Sequence, residues 1–326
     1  MTDAALIEHV HNLETGAAYR NCPELAVVHV RGDDRVAWLN GQLTNDIREI
    51  PAGQSVHALA VNVRGKIMAE LFIADIGDGF LLLLHKQSVK ALLESFERYI
   101  IMEDVTVEHS TSASVVYVHG THPAAESASA ELAAFAFAPL GLPGRAFVGD
   151  AARIEQLTSQ LSAALPRIDD AAYEVLRLRR AVPRFGVDFD EHNYPQEVGL
   201  KALVSFKKGC YLGQEVVCTL ENRGKLSRHL CVLEGAPDAP APVTASAVTP
   251  AADSGSTTLT RASLYRSADA QGADAAGALT SAVWDPEQRK AQVLAYVRRA
   301  HAVPGATLFV GAQPLTLVRL VGEDSV

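Results

Sequence analysis

One cysteine, Cys210, follows two lysines and lies between two glycines in the run Ser205-Phe206-Lys207-Lys208-Gly209-Cys210-Tyr211-Leu212-Gly213-Gln214-Glu215. Ammonium groups and helix N-terminal amides both favour a thiolate over a thiol. The run reads as the start of a short helix ending near Gly224, with Lys208 as the cation that would help Cys210 ionise. Gly209 and Gly213 permit close backbone approach or a positive φ. Residue types alone leave two readings open. Cys210 is either a reactive or ligand-binding thiol, or a small apolar side chain packed where the helix begins.

Other groups have weaker signals. Gln214 and Glu215 fall in the expected first helical turn, where Glu215 can cap amides. His192, Cys210, Cys218 and His229 carry metal-ligating atoms, but their spacing fits no common site, and no metal is expected. Arg223, Lys225, Arg228 and His229 form a basic set that reads as a solvated face, with RNA or an acidic partner as the alternative.

The chain has 326 residues, 48% of them hydrophobic, and a formal net charge of −9. That length predicts more than one domain, and the charge argues against nucleic-acid binding through bulk electrostatics. Four cysteines, Cys22, Cys210, Cys218 and Cys231, are irregularly spaced, as in neither a zinc site nor a disulfide framework. The N-terminus lacks a basic start followed by an apolar run, and the apolar stretch Phe80 to Leu84 is far too short to span a bilayer. A cytoplasmic protein with reduced thiols and no membrane contact is the expectation.

The elements that must position Cys210 read as α+β. Leu25 to Val30 is a β-type run, and Asp33 and Asp34 can cap a helix carrying Val36, Trp38 and Leu39. Ala58 to Val63, Ile67 to Ile73 and Phe80 to Leu84 are strands joined by Gly-containing turns, a meander. Val89, Leu92, Leu93 and Phe96 share one face of a helix over 88–99. Val105 to Val107 and Ser114 to Val118 are further strands, and residues 124–138 fit no element clearly. Helices are predicted over 151–164 and 169–180. From Gly235 to Gly277 the composition shifts to Ala, Pro, Ser, Thr and Gly, with short apolar pieces at Thr258-Leu259 and Leu264-Tyr265. Short strands at 278–283, 292–297 and 307–310 then suggest a small antiparallel barrel. The boundary is set near Arg228 to Gly235, dividing the chain into 1–230 and 231–326.

These residues match a known family. Lys208-Gly209-Cys210-Tyr211-Leu212-Gly213-Gln214-Glu215 resembles the signature octapeptide of the YgfZ family of folate-binding proteins, relatives of the glycine-cleavage T-protein, an aminomethyltransferase. Leu39-Asn40-Gly41-Gln42-Leu43-Thr44-Asn45-Asp46 resembles the early Gly-Gln-Leu-Thr-Asn-Asp block of that family. Gly65-Lys66-Ile67 resembles its Gly-Lys turn, and Pro195 to Leu200 precedes the cysteine motif as in relatives. The resemblance implies a three-domain, aminomethyltransferase-like ring with a folate-sized central cavity and a C-terminal antiparallel β-barrel. Residues 1–230 would form two interleaved α+β units around the folate.

Tetrahydrofolate or a derivative is the implied cofactor, and folate, iron–sulfur clients and assembly proteins are the implied partners. The implied role is an accessory one in assembly or repair of iron–sulfur proteins, with tRNA modification as an associated phenotype. The alternatives are a tetrahydrofolate-dependent aminomethyl or one-carbon transferase, and an RNA-binding protein associated with tRNA modification. The implied folate-binding residues are Asn62, Arg64, Lys66, Glu70, Arg179, Tyr211, Gln214 and Glu215, with Cys210 as the functional thiol. Tyr211 would stack on the pterin or fill the cavity wall. Two departures count against transferase chemistry. Met68-Ala69-Glu70 stands where T-proteins carry adjacent aspartates, and Arg179 stands where they carry a glutamate that pairs with pterin donors.

Overall fold

A computed structural model of the chain describes residues 2–128, 132–237, 239, 262–270 and 275–323. It opens with helix α1 (Asp3–Thr15) and strand β1 (Ala18–Asn21), followed by β2 (Leu25–Arg31) and α2 (Arg35–Gln42). The expected meander is β3 (Val56–Val61), β4 (Ile67–Asp75) and β5 (Phe80–His85), and α3 (Val89–Arg98) and β6 (Thr106–Ser110) complete the unit. Next come β7 (Ala113–His119), α4 (Pro123–Ala128), β8 (Ala133–Ala136), β9 (Gly144–Asp150), α5 (Ala151–Ser162) and α6 (Asp170–Arg179). The stretch 124–138 therefore holds most of a short helix and an edge strand, and Phe135 anchors that strand in the core.

Two sheets face each other. One has the order β3-β4-β5-β2-β6, the other β1-β7-β9-β8. Side chains alternate along β4 with period two. Ala69, Leu71 and Ile73 pack outward against Trp38 and Leu39 of α2 and Leu92 and Phe96 of α3. Phe72 and Ala74 point inward, toward Tyr117 and Val115 of the second sheet. The outer side of that sheet, Val116, Val118 and Phe147, is covered by Ile154, Leu157 and Leu161 of α5. Between the sheets, Val10 and Leu13 of α1 and Ala172, Val175 and Leu176 of α6 complete the core. Covering on both faces accounts for the unbroken apolar run of β5.

The rest of the chain carries α7 (Pro195–Val198), α8 (Gln214–Arg223), β10 (Arg228–Gly235), β11 (Ser263–Leu264), β12 (Gly277–Asp285), β13 (Lys290–Arg298), β14 (Thr307–Val310) and β15 (Gln313–Leu320). The last six strands run β11-β12-β13-β10-β15-β14. Tyr265 and Phe309 exchange main-chain hydrogen bonds of 2.9 and 2.8 Å, bringing the two ends together. The result is a nearly closed antiparallel barrel around Cys231, Leu233, Val293, Ala295 and Leu317. The expected apolar piece at Thr258-Leu259 lies outside the described residues.

A buried ion pair joins barrel to sheets. The Arg177 guanidinium on α6 donates to Asp188 at 2.6 Å, Glu174 at 2.8 Å, Ser281 Oγ at 2.9 Å and the Val182 carbonyl at 2.8 Å. Asp188 also accepts from Thr280 Oγ1 at 2.6 Å, Ser281 Oγ at 2.7 Å and the Arg184 amide at 2.9 Å. Burial alone would push the Asp188 carboxyl up. Arg177 and the two hydroxyls outweigh it and hold the group below the ordinary carboxylate range. Asp188→Asn leaves Arg177 buried with a lost counter-charge, and chemical denaturation should show a loss of about 3–5 kcal/mol. The native carboxyl is the more acidic one, so its contribution is present above the unfolded value of about 3.9 and fades as pH falls below it. The variant should therefore lose less further stability than wild type on acidification.

Candidate functional site

The cysteine run and the 39–46 block interlock. Lys208 Nζ is buried and donates to the carbonyls of Asn40 at 2.6 Å, Leu43 at 2.8 Å and Asn45 at 2.8 Å, at the C-terminal end of α2. An ammonium has three donors, and here all three are matched. Burial pulls its pKa down to about 8, partly offset by Asp46, so the charge persists at neutral pH. The Leu212 amide donates to Gly41 O at 3.0 Å and the Ser205 amide to Thr44 O at 2.9 Å. Thr44 Oγ1 donates to Leu203 O at 2.7 Å and accepts from the Leu59 amide at 2.9 Å.

Gly213 has φ 76°, and a Cβ there would stand 2.3 Å from the Asn62 carbonyl, so glycine is required. It caps α8, which begins at Gln214 rather than at Cys210. Cys210 thus lies in the loop before the helix, and its side chain is exposed. This overturns the packed-filler reading. The Lys208 ammonium is turned to the three carbonyls, and the α8 amides start beyond the loop.

The inner faces of the two sheets enclose a separate cavity of about 360 Å³. Its wall is aromatic on one side, where Phe137 meets Phe72 edge-on at 4.6 Å and Tyr117 at 5.5 Å between ring centroids. Burial raises the phenols of Tyr117 and of Tyr173, another lining residue, so both stay neutral. Polar groups converge on the same space. Arg20 pairs with Glu24 at 2.5 Å and lies 4.9 Å over the Tyr173 ring, and Arg184 pairs with Glu174. Burial lowers the His85 pKa, leaving that ring neutral at pH 7. Glu70 projects from β4 into the cavity, its Oε1 2.8 Å from Nε2 of His57.

Of the expected folate-binding residues and Cys210, Glu70 lines this cavity and the others lie elsewhere. Asn62 Oδ1 accepts from the amides of Arg64 at 2.9 Å and Lys66 at 3.1 Å, closing the β3–β4 turn. That turn packs on α8, where a Cβ at Gly65 would meet Val216 at 3.0 Å. Lys66 Nζ donates to His192 O at 2.8 Å and sits 3.3 Å from the centre of the Tyr194 ring. Arg179 pairs with Asp285 and Glu287 beside the barrel, with Nη2 to Asp285 Oδ1 at 2.7 Å. Tyr211 is buried among Val61, Val217 and Leu230. Gln214 is half-buried and Glu215 exposed in the first turn of α8.

Sequence reasoning did not single out Arg20, Glu24, His57, Tyr173, Arg177 or Arg184. The acid-to-base spacing of Glu174 and Arg177 on a helix was the available signal for that pair. The others meet only through sheet register. Among the described residues no cluster of three or more His, Cys, Asp or Glu side chains is arranged to hold a metal ion, and no helix is long and apolar enough to cross a membrane.

No family model matches the chain. A protein of Vibrio vulnificus (strain YJ016) described as tRNA-modifying protein YgfZ is 30% identical over 243 residues, 68% of this chain and 74% of that one. A protein of the same description from Serratia proteamaculans (strain 568) is 29% identical over 226 residues, covering 64% and 68%. The crystal structure of the glycine cleavage system aminomethyltransferase T from Bartonella henselae matches with a TM-score of 0.78 over 97% of this chain and 89% of that chain, at 17% identity. That match shows a shared aminomethyltransferase fold.

Exposure separates the four thiols. Cys22 and Cys231 are buried, and burial pushes each up to about 12, while Cys218 is half-buried. A maleimide time course read by mass spectrometry should modify Cys210 first, with Cys22 and Cys231 unmodified in the folded protein. Modification of Cys22 or Cys231 ahead of Cys210 would contradict this placement.

Proposed function

The chain belongs to the family of tRNA-modifying proteins YgfZ, and from that premise we propose that it is a folate-binding accessory protein whose cavity holds tetrahydrofolate and whose Cys210 serves a client in solution. The observation that carries the reading is the carboxylate of Glu70 in an aromatic-walled cavity of about 360 Å³. That volume is in the range of small-molecule sites, about 300–1,000 Å³. The amino-pyrimidinone edge of a pterin offers adjacent N–H donors, and a carboxylate can only accept. Phe72, Phe137 and Tyr117 supply flat apolar surface for the ring. The arginines at positions 20 and 184 offer cationic partners for the carboxylates of the glutamate tail. Glu70, not Arg179, is the pterin partner in this reading, and the lining lies wholly within the proposed folate-binding region, residues 1–230.

Tetrahydrofolate, when bound, supplies a carrier for one-carbon units. The chain's own part is to orient the pterin through Glu70 and to exclude water with the aromatic wall. Transferase chemistry is the weaker reading, because Ala69 points to the outer core and leaves Glu70 as the one carboxylate that the 68–70 stretch presents to the cavity.

The client is proposed to be an iron–sulfur protein or its assembly machinery. The relatives' description as tRNA-modifying fits a client that is itself a modifying enzyme, in the reducing cytoplasm that the thiols call for. Cys210 is proposed to act there, because it faces solvent and does not line the cavity. Calorimetric titration of tetrahydrofolate under argon tests the first half. Glu70→Gln should weaken binding roughly 10- to 100-fold, as expected on losing hydrogen bonds to a charged acceptor. Cys210→Ala should bind as wild type yet fail to restore a cluster-dependent enzyme in a deletion strain. Wild type that binds no reduced folate would overturn the ligand, and full rescue by Cys210→Ala would overturn the thiol's role.

A further inference from the structure

The ring of His57 stands directly behind the Glu70 carboxylate. His57 on β3 faces Phe72 across the sheet, while Glu70 is paired with Leu59, so the histidine reaches Glu70 diagonally. Its Nε2 lies 2.8 Å from Glu70 Oε1. His57 is held at its ring and at its backbone. The ring stacks on Phe72 with centroids 3.9 Å apart and planes 15° from parallel. The His57 carbonyl accepts from Asn45 Nδ2 at 3.0 Å. Phe72 and Glu70 line the cavity and His57 does not.

We infer that His57 is a positioning residue for the cavity's ligand: it donates from Nε2 to Oε1 of Glu70 and so aims Oε2 at the donor edge of the bound heterocycle. The inference rests on the folate reading of the cavity. A carboxylate on a two-carbon stem has three rotatable bonds, and freezing them before the ligand arrives removes an ordering cost from binding. Oε1 has a second lone pair and Oε2 two, so Glu70 can still accept from two adjacent ligand N–H groups. Phe72 plays both parts, because the ring that lines the cavity is also the one that clamps the imidazole. The arrangement also explains why a glutamate serves here. Its extra methylene carries the carboxylate across the diagonal to His57, a reach that aspartate at position 70 would lack.

Tetrahydrofolate titrations of the full chain test this with wild type, His57→Ala, His57→Gln, Glu70→Gln and the double variant His57→Ala/Glu70→Gln. Circular dichroism establishes first that each is folded. His57→Ala should weaken binding roughly 10-fold or more, the effect of removing a hydrogen bond to a charged group. His57→Gln, which can donate from its side-chain amide, should recover most of that loss. The double variant should bind no worse than Glu70→Gln, since His57 acts through Glu70. Wild-type affinity in His57→Ala, or losses that add in the double variant, would overturn the inference while leaving the folate reading intact. A second readout uses the ligand-free protein. Imidazole nitrogen shifts by NMR should show His57 protonated at Nε2, with that signature lost in Glu70→Ala, which removes the acceptor. If wild type bound no folate, the folate reading would fall, and the Nδ1-protonated tautomer at His57 would overturn the positioning role on its own.

Discussion

The buried pair of Arg177 and Asp188 holds the architecture together where three parts of the chain meet. Arg177 sits on α6 above the cavity, Asp188 lies in the segment leading away from it, and Ser281 and Thr280 belong to a barrel strand. Neither charge has access to water, so each depends on the other and on the surrounding hydroxyl and carbonyl groups. A buried guanidinium with every donor matched tolerates little displacement, so the pair sets the position of the barrel against the sheets. A second joint, Arg179 to Asp285, acts two residues further along α6. One helix thus lines the cavity with Arg177 and grips the barrel with both arginines.

Lys208 does the corresponding work at the cysteine loop. An ammonium with three carbonyl acceptors ties the loop to the end of α2, and the glycines at 65 and 213 let the β3–β4 turn and the start of α8 approach closely. The loop is therefore held by these contacts, and its thiol is turned outward. From it a continuous set of hydrogen bonds reaches the cavity. Lys208 donates to the Asn45 carbonyl, the Asn45 side chain donates to the His57 carbonyl, and the His57 ring meets Glu70. Two signature motifs and one cavity carboxylate belong to the same polar network, although the thiol and the cavity open in different places.

Much of this was legible in the sequence because it is local. The meander, the helices near 88–99, 151–164 and 169–180, and three of the barrel strands follow from period-two or period-3.6 patterning. Helix α1 has a weaker pattern, with Leu6, Val10 and Leu13 on its inner face and Thr2 as its cap. What the sequence could not show is which way a lysine turns. Lys208 is adjacent in sequence to the thiol's own segment, yet its partners are more than 160 positions away. In the same way Arg179 was the conspicuous arginine on α6, while Arg177, two positions earlier, is the one at the cavity. A helix separates such neighbours by about 200°. Glu70 was legible as a departure from an aspartate pair, but His57 enters only through the β3–β4 register.

Ligand and thiol are proposed to occupy separate places on this fold. Hydrogen–deuterium exchange with and without tetrahydrofolate tests it most directly. Bound tetrahydrofolate should slow exchange in β4, in α6 and in residues 182–187, with residues 205–212 unchanged. Protection centred on residues 205–212, with no effect on β4 or α6, would contradict it.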